Sequence, residues 1–175
     1  MLKTIAVVVV VLLAILLIVA AQKPDTFHVE RAIVIDAPAE KIFPLIDDYK
    51  RWLVWSPYEK RDPAMQRTYN GPVTGKGAMY AWSGNSDIGA GSMETLESTP
   101  PSKIVVKLDF IKPFEAHNIA TFTLAPQGNS TRVIWSIDGP MPFLSKLMGV
   151  FLDMDKMIGK DFDDGLRDLK AAAEK

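Results

Sequence analysis

Residues 142–175 read PFLSKLMGVFLDMDKMIGKDFDDGLRDLKAAAEK, and the spacing within this stretch decides the fold. Leu144, Leu147, Met148, Phe151, Met154, Ile158, Phe162, Leu166 and Leu169 recur at steps of three and four, which places them on one face of a 3.6-residue helix. Between them stand Lys146, Asp153, Asp155, Lys156, Lys160, Asp161, Asp163, Asp164, Arg167 and Lys170, a charged face suited to water. The pattern predicts one long amphipathic helix laid over a concave apolar surface. Glycine inside a helix costs roughly 1 kcal/mol relative to alanine, so Gly149 and Gly159 mark a bend or a close approach. The helix is expected to be irregular near Gly149 and continuous from about Asp153.

Upstream, the chain supplies the concave partner. Phe27, Val29, Ile33 and Ile35 alternate as a strand, with Arg31 in the same phase. Asp36-Ala37-Pro38 then starts a helix, which Pro44 shortens or kinks. A further helical turn is expected from Lys50 to Trp55, with Trp52 and Trp55 on one face. From Glu59 to Gly77 the pattern is least regular, with an edge strand at Arg67 to Asn70 and turns at Gly71-Pro72 and Gly75 to Gly77. Ala78, Tyr80 and Trp82 share a strand phase, as do Met93 and Thr95. Ile104, Val106, Leu108 and Phe110 alternate with polar neighbours, and Ala120, Phe122 and Leu124, then Val133, Trp135 and Ile137, repeat the pattern. Strands in a meander followed by one long helix argue an α+β domain with one sheet covered by a helix.

The chain has 175 residues, 48% hydrophobic, enough for a single well-buried core. A net charge of −1 without any basic run argues against nucleic acid as a partner. Absence of cysteine removes disulfide and thiolate chemistry. Ile5 to Ala21 is an unbroken apolar run of about 25 Å if helical, near the lower limit for crossing a bilayer. Residues 1–22 are therefore a transmembrane anchor or a signal peptide, 23–26 a linker, and 27–175 the folded domain. The length of the run favours the anchor, while Val19-Ala20-Ala21 is a candidate cleavage site for a secreted form. Lys3 in the short head predicts that the domain lies on the extracytoplasmic, periplasmic side of the membrane held by residues 5–21.

Motifs for chemistry are sparse. His28 and His117 are the two imidazoles, without the helical pairing of a metal site, and the acidic pairs of the terminal helix lack the glycine and glutamate of a calcium loop. No metal and no cofactor are expected. Ser83, Ser86 and Ser92 sit in no nucleophile elbow. Arg31, His117 and Asp138 are candidate polar contacts for a cavity, although His117 and Glu94 fall in outward strand phases. No acid–base pair emerges, so no catalytic residue is assigned.

Several segments together resemble a known family. They are Ile35-Asp36-Ala37-Pro38 with Ile42-Phe43, the run WLVWSP from Trp52 to Pro57, GKGAMYAWSG from Gly75 to Gly84, Gly89 to Met93, Lys112-Pro113-Phe114, Thr131 to Trp135, and DMDKMIGKDF from Asp153 to Phe162. In this order they resemble the SRPBCC or START-like superfamily, in its polyketide cyclase/dehydrase-like branch, over about residues 27–173. The resemblance implies a helix-grip fold, a curved antiparallel sheet of six or seven strands wrapped around the terminal helix with a cavity between them. It also implies a lipid or other hydrophobic small molecule as ligand. Within such a cavity, Tyr80, Trp82, Phe110, Phe122 and Trp135 from the sheet and Met148, Phe151 and Met154 from the helix are the candidate ligand contacts. Three functions follow from this reading. The first is tethered binding or transfer of that ligand. The second is a cyclase, dehydratase or hydrolase, which a buried ionisable pair facing the cavity would favour. The third is a protein-interaction module, which joint exposure of Trp52 and Trp55 would favour.

Overall fold

The computed structural model describes residues 2–151 and 153–175. An apolar helix, α1 (Leu2–Ala21), precedes β1 (Thr26–Ile35). Three short helices follow, α2 (Ala39–Asp47), α3 (Trp52–Trp55) and α4 (Pro57–Arg61), with a 3-10 turn at Tyr49–Arg51 between the first two. Six strands then run in succession: β2 (Gln66–Asn70), β3 (Met79–Ser83), β4 (Ala90–Thr99), β5 (Lys103–Lys112), β6 (Ala116–Gln127) and β7 (Ser130–Pro140). The chain ends in α5 (Phe143–Met148) and α6 (Met154–Ala173).

The seven strands form one antiparallel sheet in the order β1-β7-β6-β5-β4-β3-β2. Strands β2 to β7 are a simple meander, and β1 returns to pair with the last of them. Register shifts between Ala90 and Gly91 and between Thr95 and Glu97 interrupt the β4–β5 ladder, the irregularity that bends a strand. Alternation holds along β6 and β7, where Ala120, Phe122, Leu124, Val133, Trp135 and Ile137 are all buried.

Helix α6 lies in the resulting concavity. Its buried face is Phe162, Leu166 and Leu169, each worth about 1.5–3 kcal/mol of burial. Asp153 caps the helix, its side chain accepting from the Lys156 N–H at 3.1 Å. Two glycines let it settle. A Cβ at Gly159 would overlap the Arg31 guanidinium, which crosses the helix there to bond both carboxylate oxygens of Asp155 at 2.9 Å. A Cβ at Gly165 would sit 2.9 Å from the Trp135 ring and 3.0 Å from Pro57.

The terminal segment departs from one continuous helix. It breaks between Met148 and Asp153, with three-residue turns closing on Val150 and Phe151, while α6 runs without interruption from Met154. The irregularity at Gly149 is as expected, but its consequence for α5 is not. The stripe of α6 faces the sheet, whereas Leu144 and Met148 of α5 and Phe151 beyond it are exposed. Lys146, assigned to the solvated face, is instead the buried residue of α5. The break turns α5 away from the sheet and against α1.

Trp52 and Trp55 do share a face, but it points inward. Both are buried, and their indole N–H groups donate to the carbonyls of Ile46 and Leu45 at 2.8 Å. The exposed aromatic patch that an interaction module requires is absent at this loop.

Candidate functional site

Helix α6 packs chiefly on β1 and touches β7, so it covers only one end of the concave face. The inner surface of β3, β4 and β5 lies beyond its reach. Between them is a cavity of about 860 Å³, inside the range of roughly 300–1,000 Å³ in which small-molecule pockets fall. Tyr80, Trp82, Met93, Leu108, Phe110, Ala120, Trp135 and Ile137 form the sheet wall. Met154, Met157, Ile158 and Phe162 form the helix wall, and Trp52, Ser56, Tyr58 and Glu59 close the inner end.

Of the residues singled out in the sequence, Tyr80, Trp82, Phe110, Trp135 and Met154 border this space. They do so through a continuous aromatic layer: Tyr80 stacks with Trp82 at 6.0 Å between ring centroids, and Trp135 lies flat on Phe162 at 3.9 Å. Phe122 is fully buried one layer further in, packed against Trp52, Trp55 and Trp135, and does not border the cavity. Met148 and Phe151 lie outside it, carried away by the break at Gly149.

The polar candidates separate in the same way. His117 stands at the cavity mouth, its Nδ1 2.7 Å from Asp109 on the paired strand. Burial opposes ionisation of the Asp109 carboxyl, but hydrogen bonds from Lys107 and His117 outweigh it and hold the carboxyl below its ordinary value. Arg31 does not reach the cavity, because its guanidinium is spent on Asp155 and Asp163 of α6. Asp138 is on the outer surface, 2.7 Å from His28.

The group that sequence reading missed is Glu59. It is 5% exposed, lines the inner end of the cavity and belongs to the one-turn helix α4. Its neighbours Lys60 and Arg61 bond Asp168 and Asp161 of α6, which fixes the turn and leaves Glu59 directed inward. The Tyr80 hydroxyl donates to Oε1 at 2.6 Å, and Arg67 Nε donates to Oε2 at 2.7 Å. Arg67 is itself held by the carbonyl of Met65 at 2.7 Å and that of Pro63 at 3.2 Å. Burial pushes the Tyr80 phenol above its ordinary value, and the bond to Glu59 pushes the same way, so the phenol stays a donor. Glu59 sits among Lys, Arg and Asp in a stretch without periodicity, and only the unusual placement of α4 beneath α6 buries it.

The arrangement is an aromatic and aliphatic chamber with a carboxylate and a phenol at one end, the carboxylate braced from behind by the Arg67 guanidinium. It accommodates an apolar body and offers hydrogen bonds to a single polar group. Among the described residues no cluster of three potential metal ligands occurs.

A seven-stranded sheet gripping a C-terminal helix with a chamber between them defines the helix-grip, START-like class. The chain belongs to the family described as polyketide cyclase/dehydrase and lipid transport, whose model matches residues 26–174. Solved structures agree on the fold. A Chromobacterium violaceum protein, CV1439, is 17% identical, with a TM-score of 0.60 over 87% of this chain and 99% of its own. The major latex-like protein 151 of Panax ginseng is 14% identical, with a TM-score of 0.60 over 87% and 100%. The Aha1 dimer of Colwellia psychrerythraea is 16% identical, with a TM-score of 0.60 over 85% and 96%. At these identities the likeness is one of fold. No curated protein matches the sequence.

Proposed function

We propose that this protein is held to a membrane by α1 and binds or transfers a lipid or other hydrophobic small molecule in the cavity between sheet and α6. The observation that carries this reading is the chamber itself, about 860 Å³ and lined largely by aromatic and methionine side chains. Rings give it shape and methionines adapt to the occupant. Glu59 and Tyr80 receive the polar end of the ligand. Helix α1 is long and apolar enough to cross a bilayer and has little buried surface, as an anchor requires. The positive charge of Lys3 in the short head supports an extracytoplasmic domain. The test is to purify the full chain in detergent, extract it with organic solvent and look by mass spectrometry for a co-purified molecule. A stoichiometric apolar compound is expected, and an empty protein that also refuses fluorescent lipid probes would end the proposal.

A second reading is supported by the buried Glu59–Arg67 pair, the ionisable feature expected of a cyclase or dehydratase in this chamber. Here Glu59 takes a proton from the bound substrate and Tyr80, already donating to it, keeps the carboxylate aligned. Turnover of a small apolar polyketide or ketone that Glu59→Gln abolishes, with ligand retention unchanged, would favour this reading over simple carriage.

A further inference from the structure

We infer that α5 and residues 149–151 after it are an interfacial lid, lying in the surface of the same bilayer that α1 crosses, so that the cavity opens directly onto lipid. Helix α5 is amphipathic with its apolar side turned away from the domain. Its charged residue, Lys146, turns inward and reaches the Asp25 carboxylate at 2.5 Å. Its apolar residues turn out, with Leu144 62% and Phe143 50% exposed, and Phe151 follows at 74%. A soluble domain gains nothing from this orientation, whereas a lipid surface rewards each side chain it covers. Apart from Lys146, residues 141–151 carry no charge.

The occupant is fixed by continuity with α1. That helix packs against α5. Lys23 donates to the Gly149 carbonyl at 2.7 Å, and the Met141 N–H donates to the Asp25 carbonyl at 2.7 Å. Strand β1 begins at Thr26, only five residues beyond the end of α1, so there is no slack between span and domain. At 1.5 Å per residue α1 is about 30 Å long, the thickness of the hydrocarbon layer. Its last turn must therefore lie at the interface, and α5 packs against α1 and is bonded to the short linker that follows that turn. The same place is the mouth of the cavity: Phe114, Pro142, Ser145 and Met157 border the chamber, and Phe114 and Met157 are 68% and 56% exposed. A ligand entering between them passes from acyl chains to aromatic wall without crossing water.

The inference rests on α1 being an anchor and does not depend on what the cavity holds. The chain lacks cysteine, so single spin labels can be placed on an otherwise unreactive background. Full-length Val9→Cys, Leu144→Cys, Phe151→Cys and Val73→Cys variants are labelled, reconstituted into phosphatidylcholine/phosphatidylglycerol vesicles and compared for collision with oxygen against a water-soluble nickel chelate. Val73 is an exposed apolar residue in the loop after β2 and serves as the aqueous control. Oxygen-dominated collision at 9, 144 and 151 with nickel-dominated collision at 73 is the expected result. Nickel-dominated collision at 144 and 151 with oxygen at 9 overturns the lid and leaves the anchor standing. Nickel-dominated collision at all four overturns both. A Leu144→Asp/Phe151→Asp variant gives an independent check. It should keep its near-UV circular dichroism yet take up a dansylated fatty acid from vesicles about tenfold more slowly than the parent. Unchanged uptake from vesicles overturns the lid, and a parent that takes up no probe by any route counts against the cavity reading alone.

Discussion

Removing Arg67 leaves Glu59 as a charge in a nearly dry site, and the energetic consequence can be worked from the geometry. Arg67→Met deletes the Nε donor at 2.7 Å and keeps roughly the same volume. Breaking a buried ion pair on one side typically costs about 3–5 kcal/mol. Tyr80 still donates to Oε1, and the Arg67 side chain is 16% exposed, so the lower end, about 3 kcal/mol, applies here. The double variant Arg67→Met/Glu59→Gln removes both charges yet leaves an amide oxygen to accept from the Tyr80 hydroxyl, and should recover most of that loss, to within about 1 kcal/mol of the parent. Three of the four tryptophans, Trp52, Trp82 and Trp135, line this chamber and the fourth, Trp55, packs edge-on against Trp135, so urea unfolding of the full chain in detergent can be followed by intrinsic fluorescence. A single variant within about 0.5 kcal/mol of the parent, or a double variant as unstable as the single one, would refute the claim that Glu59 is buried and charge-paired.

Further outcomes follow from the packing of α6. Gly165→Ala gains about 1 kcal/mol of helix propensity but drives a methyl against the Trp135 ring and Pro57, an overpacking cost of about 1–3 kcal/mol, so the melting temperature should fall. Gly159→Ala should displace the Arg31 guanidinium, and its effect should shrink when combined with Asp155→Asn. The Asp155 carboxyl is held below its ordinary value of 3.8 by its hydrogen bond from Arg31. Its folded-state pKa is thus lower than its unfolded one, so the stability it contributes is complete above pH 3.8 and is lost as pH falls through the lowered value. Thermal melts of the parent and Asp155→Asn should therefore differ at neutral pH and converge on acidification below that range.

Much of the fold is legible in the sequence because its sheet alternates cleanly. Ile104 to Phe110, Ala120 to Leu124 and Val133 to Ile137 each present one apolar face, and the helical stripe from Ile158 to Leu169 meets them as its spacing requires. The cavity wall is legible for the same reason, since Tyr80, Trp82, Phe110 and Trp135 occupy inward phases. Periodicity fails where direction changes. It continues through Leu144, Met148 and Phe151 as if the helix did, but the turn at Gly149 rotates that segment out of the domain, and the pattern then serves a different surface. Arg31 shares the inward phase of β1, yet its length carries the charge past Gly159 to the acidic edge of α6. Glu59 illustrates the opposite failure: one turn of helix has no period to read, and its burial is decided by α6, about a hundred residues away in the chain, through Lys60 and Arg61.

The central claim is that the chamber under α6 holds an apolar molecule, and Ala120 tests it most directly. This residue is 5% exposed, sits on the cavity wall and makes no side-chain hydrogen bond, so Ala120→Trp fills the space without touching Glu59, α5 or the anchor. Titration of the full chain in detergent with a dansylated fatty acid should give saturable one-to-one binding for the parent and a loss of at least about tenfold in affinity for Ala120→Trp. Equal binding by both proteins, or by neither, would contradict the account.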